Sequence, residues 1–454
     1  QVLDYFNNFS NDRFSYLKIK IMNENSNIFI NKKILIYGLG KSGISSFKFL
    51  KKRNQVFLFD DNNKIKLNSY TKKNLISLSL IKKIKFDLIV ISPGINNKKC
   101  KLNKFLKKNS KIIYTDLDVF YSFYKNLCIT ITGTNGKSTT CQLLHQVLKK
   151  QKYDARLAGN IGYPILSIKK IKEDTIFVIE ASSYQLEYSK LFKSKYAAIL
   201  NISPDHLERH ETINNYISAK FKLIKNQNKN SIVLINKFDK YIQNRIKKIK
   251  YKSKIIKVDT KLKKKFINIF HNEYFLSASN IENLSFVIEL AKKFNVKKNN
   301  LIKAVKKFKG LNYRQQIIFK NKKISIINDS KSTSYSSSIE MLKRKNNIYW
   351  LMGGIPKIGD KFNLSKNYCR NVQGYIFGVN QKKFSLDLKK KIKIKKFFNL
   401  SKALNELFKD VKKDNSFKKT ILFSPAAASF DNFKNFEDRG KYFNKLIKKY
   451  IYAR

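Results

Sequence analysis

Leu127-Cys128-Ile129-Thr130-Ile131-Thr132-Gly133-Thr134-Asn135-Gly136-Lys137-Ser138-Thr139 is the stretch on which the reading of this chain turns. An apolar run, 127–131, enters a glycine turn, and a mixed helical pattern, 139–149, leaves it. Strand, glycine turn and helix in that order are what a phosphate-binding loop needs. Glycine lets backbone N–H groups curl around phosphate oxygens with no Cβ in the way. The helix N-terminus that follows adds the positive end of a dipole. Lys137 would reach the outer phosphates, and Ser138 or Thr139 would touch Mg²⁺. Only two residues separate Gly133 from Gly136, so the common G-x-x-x-x-G-K-[ST] spacing is not met. The ordinary alternative is a glycine-rich turn that holds no nucleotide.

Upstream lies a second glycine turn. The apolar run 33–37 leads into Gly38-Leu39-Gly40-Lys41-Ser42-Gly43, a helical pattern covers 44–50, and a strand at 56–59 ends in Asp60-Asp61. This resembles a dinucleotide fingerprint, a weak signal alone, and implies a Rossmann-like domain whose glycines face a diphosphate. Further strands are expected at 87–92, closing with Ser92-Pro93-Gly94, and at 111–114, with a helix at 116–124. The Ser92 turn falls at the strand end where α/β folds bind ligands.

Downstream of the phosphate loop, a turn at Gly159-Asn160-Ile161-Gly162 precedes the apolar strand 175–179, which delivers Glu180. A carboxylate at the end of a strand beside a phosphate loop suits a Mg²⁺ ligand; the alternative is a helix N-terminal Glu. The strand 196–200 runs into Pro204-Asp205-His206-Leu207-Glu208-Arg209-His210. His206 reads as a metal or phosphate ligand, against a capping or solvated histidine. Lys220 lies in the helical pattern 213–226 and, taken alone in so lysine-rich a chain, reads as solvated. After Gly310 a third α/β unit is expected. Its strands at 324–327, 348–352, 374–378 and 420–423 carry Asn328-Asp329-Ser330-Lys331-Ser332-Thr333, Gly353-Gly354 and Ser424-Pro425-Ala426-Ala427-Ala428-Ser429 near their ends. Strands alternate with helices throughout, so three parallel-sheet domains are the economical reading.

Composition sets outer bounds. The 454 residues suffice for several domains with ample cores. No run of about 18 apolar residues is present, so no membrane span is expected. With 95 Lys+Arg against 31 Asp+Glu, the formal net charge is +64. Such a charge attracts polyanions at low salt. The excess, however, is mostly lysine spread along the whole chain. It rises together with Asn, Ile, Phe and Tyr, as A/T-rich codons would produce, so no specific nucleic-acid partner is expected. Cys100, Cys128, Cys141 and Cys369 have no metal-like spacing and read as reduced thiols of a cytoplasmic protein. Residues 1–27 are polar without a secretory h-region. They read as an N-terminal extension, either disordered or an imprecise start.

The motifs also form a set. Gly133-Thr134-Asn135-Gly136-Lys137-Ser138-Thr139, Glu180-Ala181-Ser182-Ser183, Pro204-Asp205-His206-Leu207, Asn328-Asp329-Ser330-Lys331 and Gly353-Gly354 together resemble the Mur ligase family. The segment from Ser424 to Gly440 is similar to the signature of its D-glutamate-adding branch. The resemblance implies an α/β fold of three domains: a Rossmann-like UDP-binding domain (28–122), a central P-loop-type ATPase domain with a parallel sheet (123–310) and a Rossmann-like C-terminal domain (311–454). It implies ATP-dependent addition of D-glutamate to UDP-N-acetylmuramoyl-L-alanine, in peptidoglycan precursor synthesis, by a cytoplasmic monomer. The alternatives are a sister ligase adding another amino acid and a decayed homologue that binds nucleotide or polyanion.

By the same resemblance, Lys137 would screen the triphosphate, and two Mg²⁺ ions would be held, one by Ser138 and Glu180, the other by His206 and a carbamylated Lys220. Gly133, Thr134, Asn135, Gly136, Thr139, Asn280, Asn283, Arg314 and Asp329 would bind ATP. Gly38, Gly40, Ser42, Gly43, Asp60, Ser92, Gly94, Asn160 and Ser182 would line the UDP-substrate site. Lys331, Thr333, Lys357, Ser429 and Phe436 would hold D-glutamate. Ser279 and Tyr313 stand where the family usually has His, and Ser334 where it usually has Asn.

Overall fold

The computed structural model describes residues 27–451 apart from 64, 66, 263–267, 344–346 and 358. The expected N-terminal extension lies outside the described residues except for Asn27, whose side chain donates to Ser122 O at 3.0 Å. Sixteen strands are described, in three sheets. The first sheet contains β1 (Lys33–Tyr37), β2 (Gln55–Phe59), β3 (Leu88–Ile91) and β4 (Ile113–Tyr114), in the order β2-β1-β3-β4. The second contains β5 (Cys128–Thr132), β6 (Ala155–Gly159), β7 (Ile176–Glu180), β8 (Tyr196–Ile199), β9 (Ile232–Asn236) and β10 (Lys254–Val258), ordered β10-β9-β8-β5-β7-β6. The third contains β11 (Gln316–Lys320), β12 (Ile324–Asn328), β13 (Asn347–Gly353), β14 (Val372–Phe377), β15 (Lys393–Phe397) and β16 (Lys419–Phe423), ordered β11-β12-β16-β13-β14-β15.

The chain divides after Phe308 into two compact units. In the first unit, β5 lies between β7 and β8, both parallel to it. The chain order reverses across β5, and ligands of α/β sheets bind outside strand ends at such a point. The helices Lys137–Lys150 and Ala278–Lys293 bury Leu143, Leu144, Val147, Leu284 and Val287 on one face of this sheet. On the other face, Phe177, Ile199, Tyr216 and Phe221 share one core with Phe47, Leu117 and Phe120 of the helices Lys41–Leu50 and Asp116–Phe123. The first two sheets therefore belong to one unit through common apolar burial. A buried carboxylate reinforces the seam. Asp118 Oδ1 accepts from Ser189 Oγ and from the backbone N–H groups of Lys190, Leu191 and Phe192, at 2.8–3.0 Å.

In the second unit, β13 alternates. Ile348, Trp350 and Met352 enter one core, and Tyr349 and Leu351 the other. A strand buried on both faces reads as one continuous apolar run, which is why it was legible. The third sheet is not wholly parallel as expected, because β11 pairs antiparallel with β12. The expected strand at 111–114 is also shorter: residues 110–112 form a 3-10 turn and only Ile113–Tyr114 pairs. Four strands without a sequence expectation, β6, β10, β11 and β15, are all sheet edges. Half-exposed sequences such as KIIKV and KIKKF lack the apolar run of a central strand, and edge lysines are a usual guard against further pairing.

Candidate active site

The phosphate loop leaves β5 and turns into the helix Lys137–Lys150. Gly136 precedes that helix with φ +82°, and a Cβ there would lie 2.0 Å from Asn283 Oδ1, so only glycine fits. No side chain caps the helix and its first turn holds no acid, which leaves its positive end toward the loop. Neighbours brace the turn: Thr134 N donates to Asn201 O (2.9 Å) and Asn135 N to Asn201 Oδ1 (2.8 Å). Asn201 in turn donates to Glu282, and Asn283 Oδ1 accepts from Thr140 Oγ1 at 3.3 Å. Asn283 thus meets the loop. Asn280 is buried, but its amide donates to Tyr274 O at 2.7 Å. Ser138 is half-buried and Thr139 buried, both on the first helical turn.

Two ammonium groups converge on this loop. Lys137 Nζ donates to Gly133 O (2.9 Å) and Thr134 O (2.8 Å). Lys220 Nζ donates to the same Gly133 O at 2.8 Å. The sequence reading of Lys220 as a solvated lysine is overturned, because its side chain is 1% exposed on the inner face of the helix Ile213–Lys225. Periodicity alone did not mark it, since it interrupts a face otherwise made of Tyr216, Ile217, Phe221 and Ile224. Burial, and then the nearby Lys137 charge, push its pKa well below that of an ordinary lysine, with Asp205 and Glu180 opposing.

Glu180 ends β7 with 1% exposure. Its Oε1 accepts from Asn160 Nδ2 at 2.9 Å, and its Oε2, also buried, has no partner among the described residues. An orphaned buried carboxylate oxygen is costly unless a cation meets it, so this donor set fits Mg²⁺. The helix N-terminal alternative fails for Glu180, because Ser182 is the N-cap of Ser183–Glu187, in a capping box with Gln185. Among the described residues no three His, Cys, Asp or Glu side chains are grouped to hold a metal. A divalent ion here would therefore also need the Ser138 hydroxyl and oxygens of its ligand.

His206 has left-handed φ (+54°) just before the short helix Leu207–His210. Its Nε2 lies 3.4 Å from Asp205 Oδ2 and its Nδ1 3.5 Å from Glu208 Oε1, and its ring packs 5.0 Å from that of Tyr184. His210 is buried, with Nε2 3.0 Å from Ser183 Oγ. Its pKa is lowered to about 4 by burial, then by Arg209, His206 and Lys220. Tyr216, missed from sequence, places its hydroxyl 3.1 Å from Thr134 Oγ1 and its ring under Lys220 Nζ at 4.5 Å. The signal was there: it precedes Lys220 by one helical turn.

The first glycine turn is built differently. Gly38 has φ +92°, and a Cβ on Gly43 would stand 1.8 Å from Gly38 O. Ser92 Oγ donates to Gly38 O at 2.6 Å, and Asp60 Oδ2 accepts from Leu39 N at 2.6 Å. Gly40 and Gly94 have open space where a Cβ would stand. Ser42 is half-buried on the first turn of Lys41–Leu50.

In the second unit, Lys331 Nζ sits 4.0 Å over the Phe436 ring, so two expected residues meet. Thr333 is half-buried, Ser429 buried and Lys357 exposed. Arg314 is half-buried, and its backbone N–H donates to Leu311 O. Asp329 braces loops: Oδ1 accepts from Gln315 N (3.0 Å) and Oδ2 from Ser424 Oγ (3.1 Å). Arg439 is the hub that sequence reasoning passed over. It is wholly buried and donates to Ser330 Oγ, Ser330 O, Gly353 O and Ala427 O at 2.9–3.3 Å, joining three strand-end loops. Burial lowers its pKa to about 10. Of the departures, Tyr313 packs its ring where a Gly440 Cβ would stand, and Ser334 keeps the N-cap of Tyr335–Leu342. Ser279 Oγ lies 3.4 Å from Ser277 Oγ.

A lysine-bearing phosphate loop, a buried strand-end carboxylate and a loaded histidine segment, all at the strand ends of a parallel sheet, define a nucleotide-dependent α/β enzyme. The chain matches the Mur ligase middle domain over residues 131–305 and the Mur ligase MurD-like N-terminal domain over residues 32–114. It is 35% identical over 441 residues to the UDP-N-acetylmuramoylalanine--D-glutamate ligase of Rickettsia felis, covering 92% of this chain and 97% of that one. It is 36% identical over 446 residues to the enzyme of the same name from Buchnera aphidicola subsp. Acyrthosiphon pisum, covering 92% and 98%. In fold it is similar to the MurF ligase of Thermotoga maritima in complex with ADP, with TM-score 0.56 at 13% identity, covering 93% of this chain and 99% of that one. The chain belongs to the Mur ligase family.

Proposed function

We propose that this chain is an ATP-dependent ligase that joins D-glutamate to UDP-N-acetylmuramoyl-L-alanine in the cytoplasmic synthesis of peptidoglycan precursors. The observation that carries the reading is the convergence of Lys137 and Lys220 on Gly133 O, with Glu180 at the end of the neighbouring strand, in a chain alike over nearly its whole length to ligases of that name. A carboxylate oxygen of the UDP-substrate attacks the γ-phosphorus of ATP, and ADP leaves. The neutral amine of D-glutamate then attacks the acyl carbon of the acyl phosphate, inorganic phosphate leaves, and the amine proton goes to solvent. Several anions must approach one another, so preorganised cations carry much of the catalysis.

In this reading Lys137 and the helix end neutralise the triphosphate. The remaining loop residues Gly133, Thr134, Asn135, Gly136 and Thr139, with Asn280, Asn283, Arg314 and Asp329, hold ATP. Ser138 and Glu180 hold one Mg²⁺, and His206 and a carbamylated Lys220 a second. When bound, Mg²⁺ supplies further charge neutralisation on the phosphoryl oxygens. Carbamylation requires a neutral amine to attack CO₂ with loss of a proton, and the lowered pKa of the buried Lys220 favours that form. Asn160 and Ser182 orient the UDP-substrate, with the first glycine turn, Asp60, Ser92 and Gly94. Lys331, Thr333, Lys357, Ser429 and Phe436 hold D-glutamate, whose two carboxylates suit the two lysines.

Phosphate release from ATP with UDP-N-acetylmuramoyl-L-alanine tests the reading, comparing D-glutamate with L-glutamate, L-alanine and diaminopimelate. Release that requires D-glutamate is expected. Release with another amino acid instead would make the chain a sister ligase, and none from folded, ATP-binding protein would make it a decayed one.

A further inference from the structure

Arg209 lies three residues after His206, and its side chain reaches Pro93 at the end of the first sheet. It is 7% exposed in the seam between the first and second sheets. Its Nη1 donates to Pro93 O at 2.8 Å, in the loop that closes β3. Its Nη2 meets Glu187 Oε2 at 3.3 Å, and its guanidinium carbon stands 4.1 Å from the Tyr184 ring centroid. Nε, also buried, has no partner among the described residues. One planar fork thus spans both sheets, a geometry a single ammonium cannot reproduce.

The contact extends in both directions. Pro93 follows Ser92, whose hydroxyl holds Gly38 O of the first glycine turn. Tyr184, under the guanidinium, packs against the rings of both His206 and His210. A continuous path therefore runs from the first glycine turn through Ser92, Pro93 and Arg209 to His206. A buried, incompletely paired guanidinium is not economical as a stabiliser, since apolar packing does as well in such places.

We propose that Arg209 is a positioning residue for the UDP-substrate, fixing the Ser92–Gly94 turn at a set distance from the His206 segment so that the bound substrate's carboxylate arrives at the phosphate loop. This rests on the functional reading above. Lys98 and Glu211 bridge the same seam at the surface, both half or more exposed. That pair should contribute little, as exposed ion pairs do.

The test measures KM and kcat for Arg209→Lys, Glu187→Gln and Lys98→Ala, with equilibrium binding of UDP-N-acetylmuramoyl-L-alanine to each. Arg209→Lys should raise KM for the UDP-substrate about tenfold and lower kcat, because a small displacement of a reacting group is costly. KM for ATP should stay within about twofold. Glu187→Gln should shift the same parameter about threefold, and it serves where Arg209→Lys does not fold. Lys98→Ala should match wild type. Equal changes in both KM values, or none, would overturn the inference. A wild type that binds no UDP-sugar would overturn the functional reading with it.

Discussion

The two glycine turns of the first unit share a local grammar and differ in electrostatics. Each leaves a buried strand, passes a left-handed glycine and starts a helix with no side-chain cap. At the first turn, an acid from the next strand reaches back, and Asp60 accepts the Leu39 N–H. At the second, no acid enters the turn, a neutral asparagine braces it, and two lysines close on its carbonyls. A turn that already carries a carboxylate is poorly disposed to a triphosphate. A turn ringed by ammonium groups and a helix end favours one. The motif sets the path of the backbone, and residues far away in sequence set the sign of the charge it meets.

The two turns should respond very differently to loss of their charged side chains. Lys137→Ala should lower phosphate release about 10³-fold, the scale of losing a preorganised charge at a developing anion, whereas Asp60→Asn should cost under about tenfold and act on the UDP-substrate KM. Comparable losses in a steady-state assay would erase the distinction. Lys220→Arg keeps the positive charge but cannot be carbamylated. It should cost about 10²-fold in kcat, and wild-type turnover should fall in CO₂-stripped buffer.

A pH experiment sharpens the first turn. Asp116, buried with Ser42 and Gln185 as hydrogen-bonding neighbours, has its pKa raised from 3.8 to about 6, by burial foremost. A carboxyl with a raised folded pKa contributes stability that is full below 3.8 and lost as pH rises through 6. The loss is about 3 kcal/mol for the group by linkage. Asp116→Asn should remove that slope, and urea unfolding at pH 4, 5, 6 and 7 checks it. Glycine exchanges come next. Gly136→Ala should cost about 2 kcal/mol, from positive φ and a clash with Asn283, while Gly40→Ala, with open space around it, should stay within about 0.5 kcal/mol. Equal midpoints in urea would refute the stated packing. The smallest effect is in the other unit, where Ser334→Ala should lose about 1 kcal/mol of stability with its cap.

Much of the fold was legible because central strands of parallel sheets are apolar on both faces. The runs at β1, β3, β5, β7, β8 and β13 declared themselves, as did the turns at their ends. The edge strands β6, β10, β11 and β15 did not, because one exposed side breaks the run, and β11's antiparallel direction leaves no mark in composition. The site divides the same way. Lys137 and Glu180 carry their roles in local context, at a turn and at a strand end. Lys220 looked like any other lysine, and Arg209 and Arg439 stood in quoted motifs without a role of their own, although all three are buried.

Where strands end in chemistry-bearing turns is written locally in the chain, since glycine, apolar runs and capping residues act within a few positions. Which lysine is buried, which acid is left with an orphaned oxygen and which arginine spans a seam were decided only by tertiary structure. Desolvation and Coulomb interaction depend on distance in space, and the Lys220–Gly133 contact joins residues 87 positions apart.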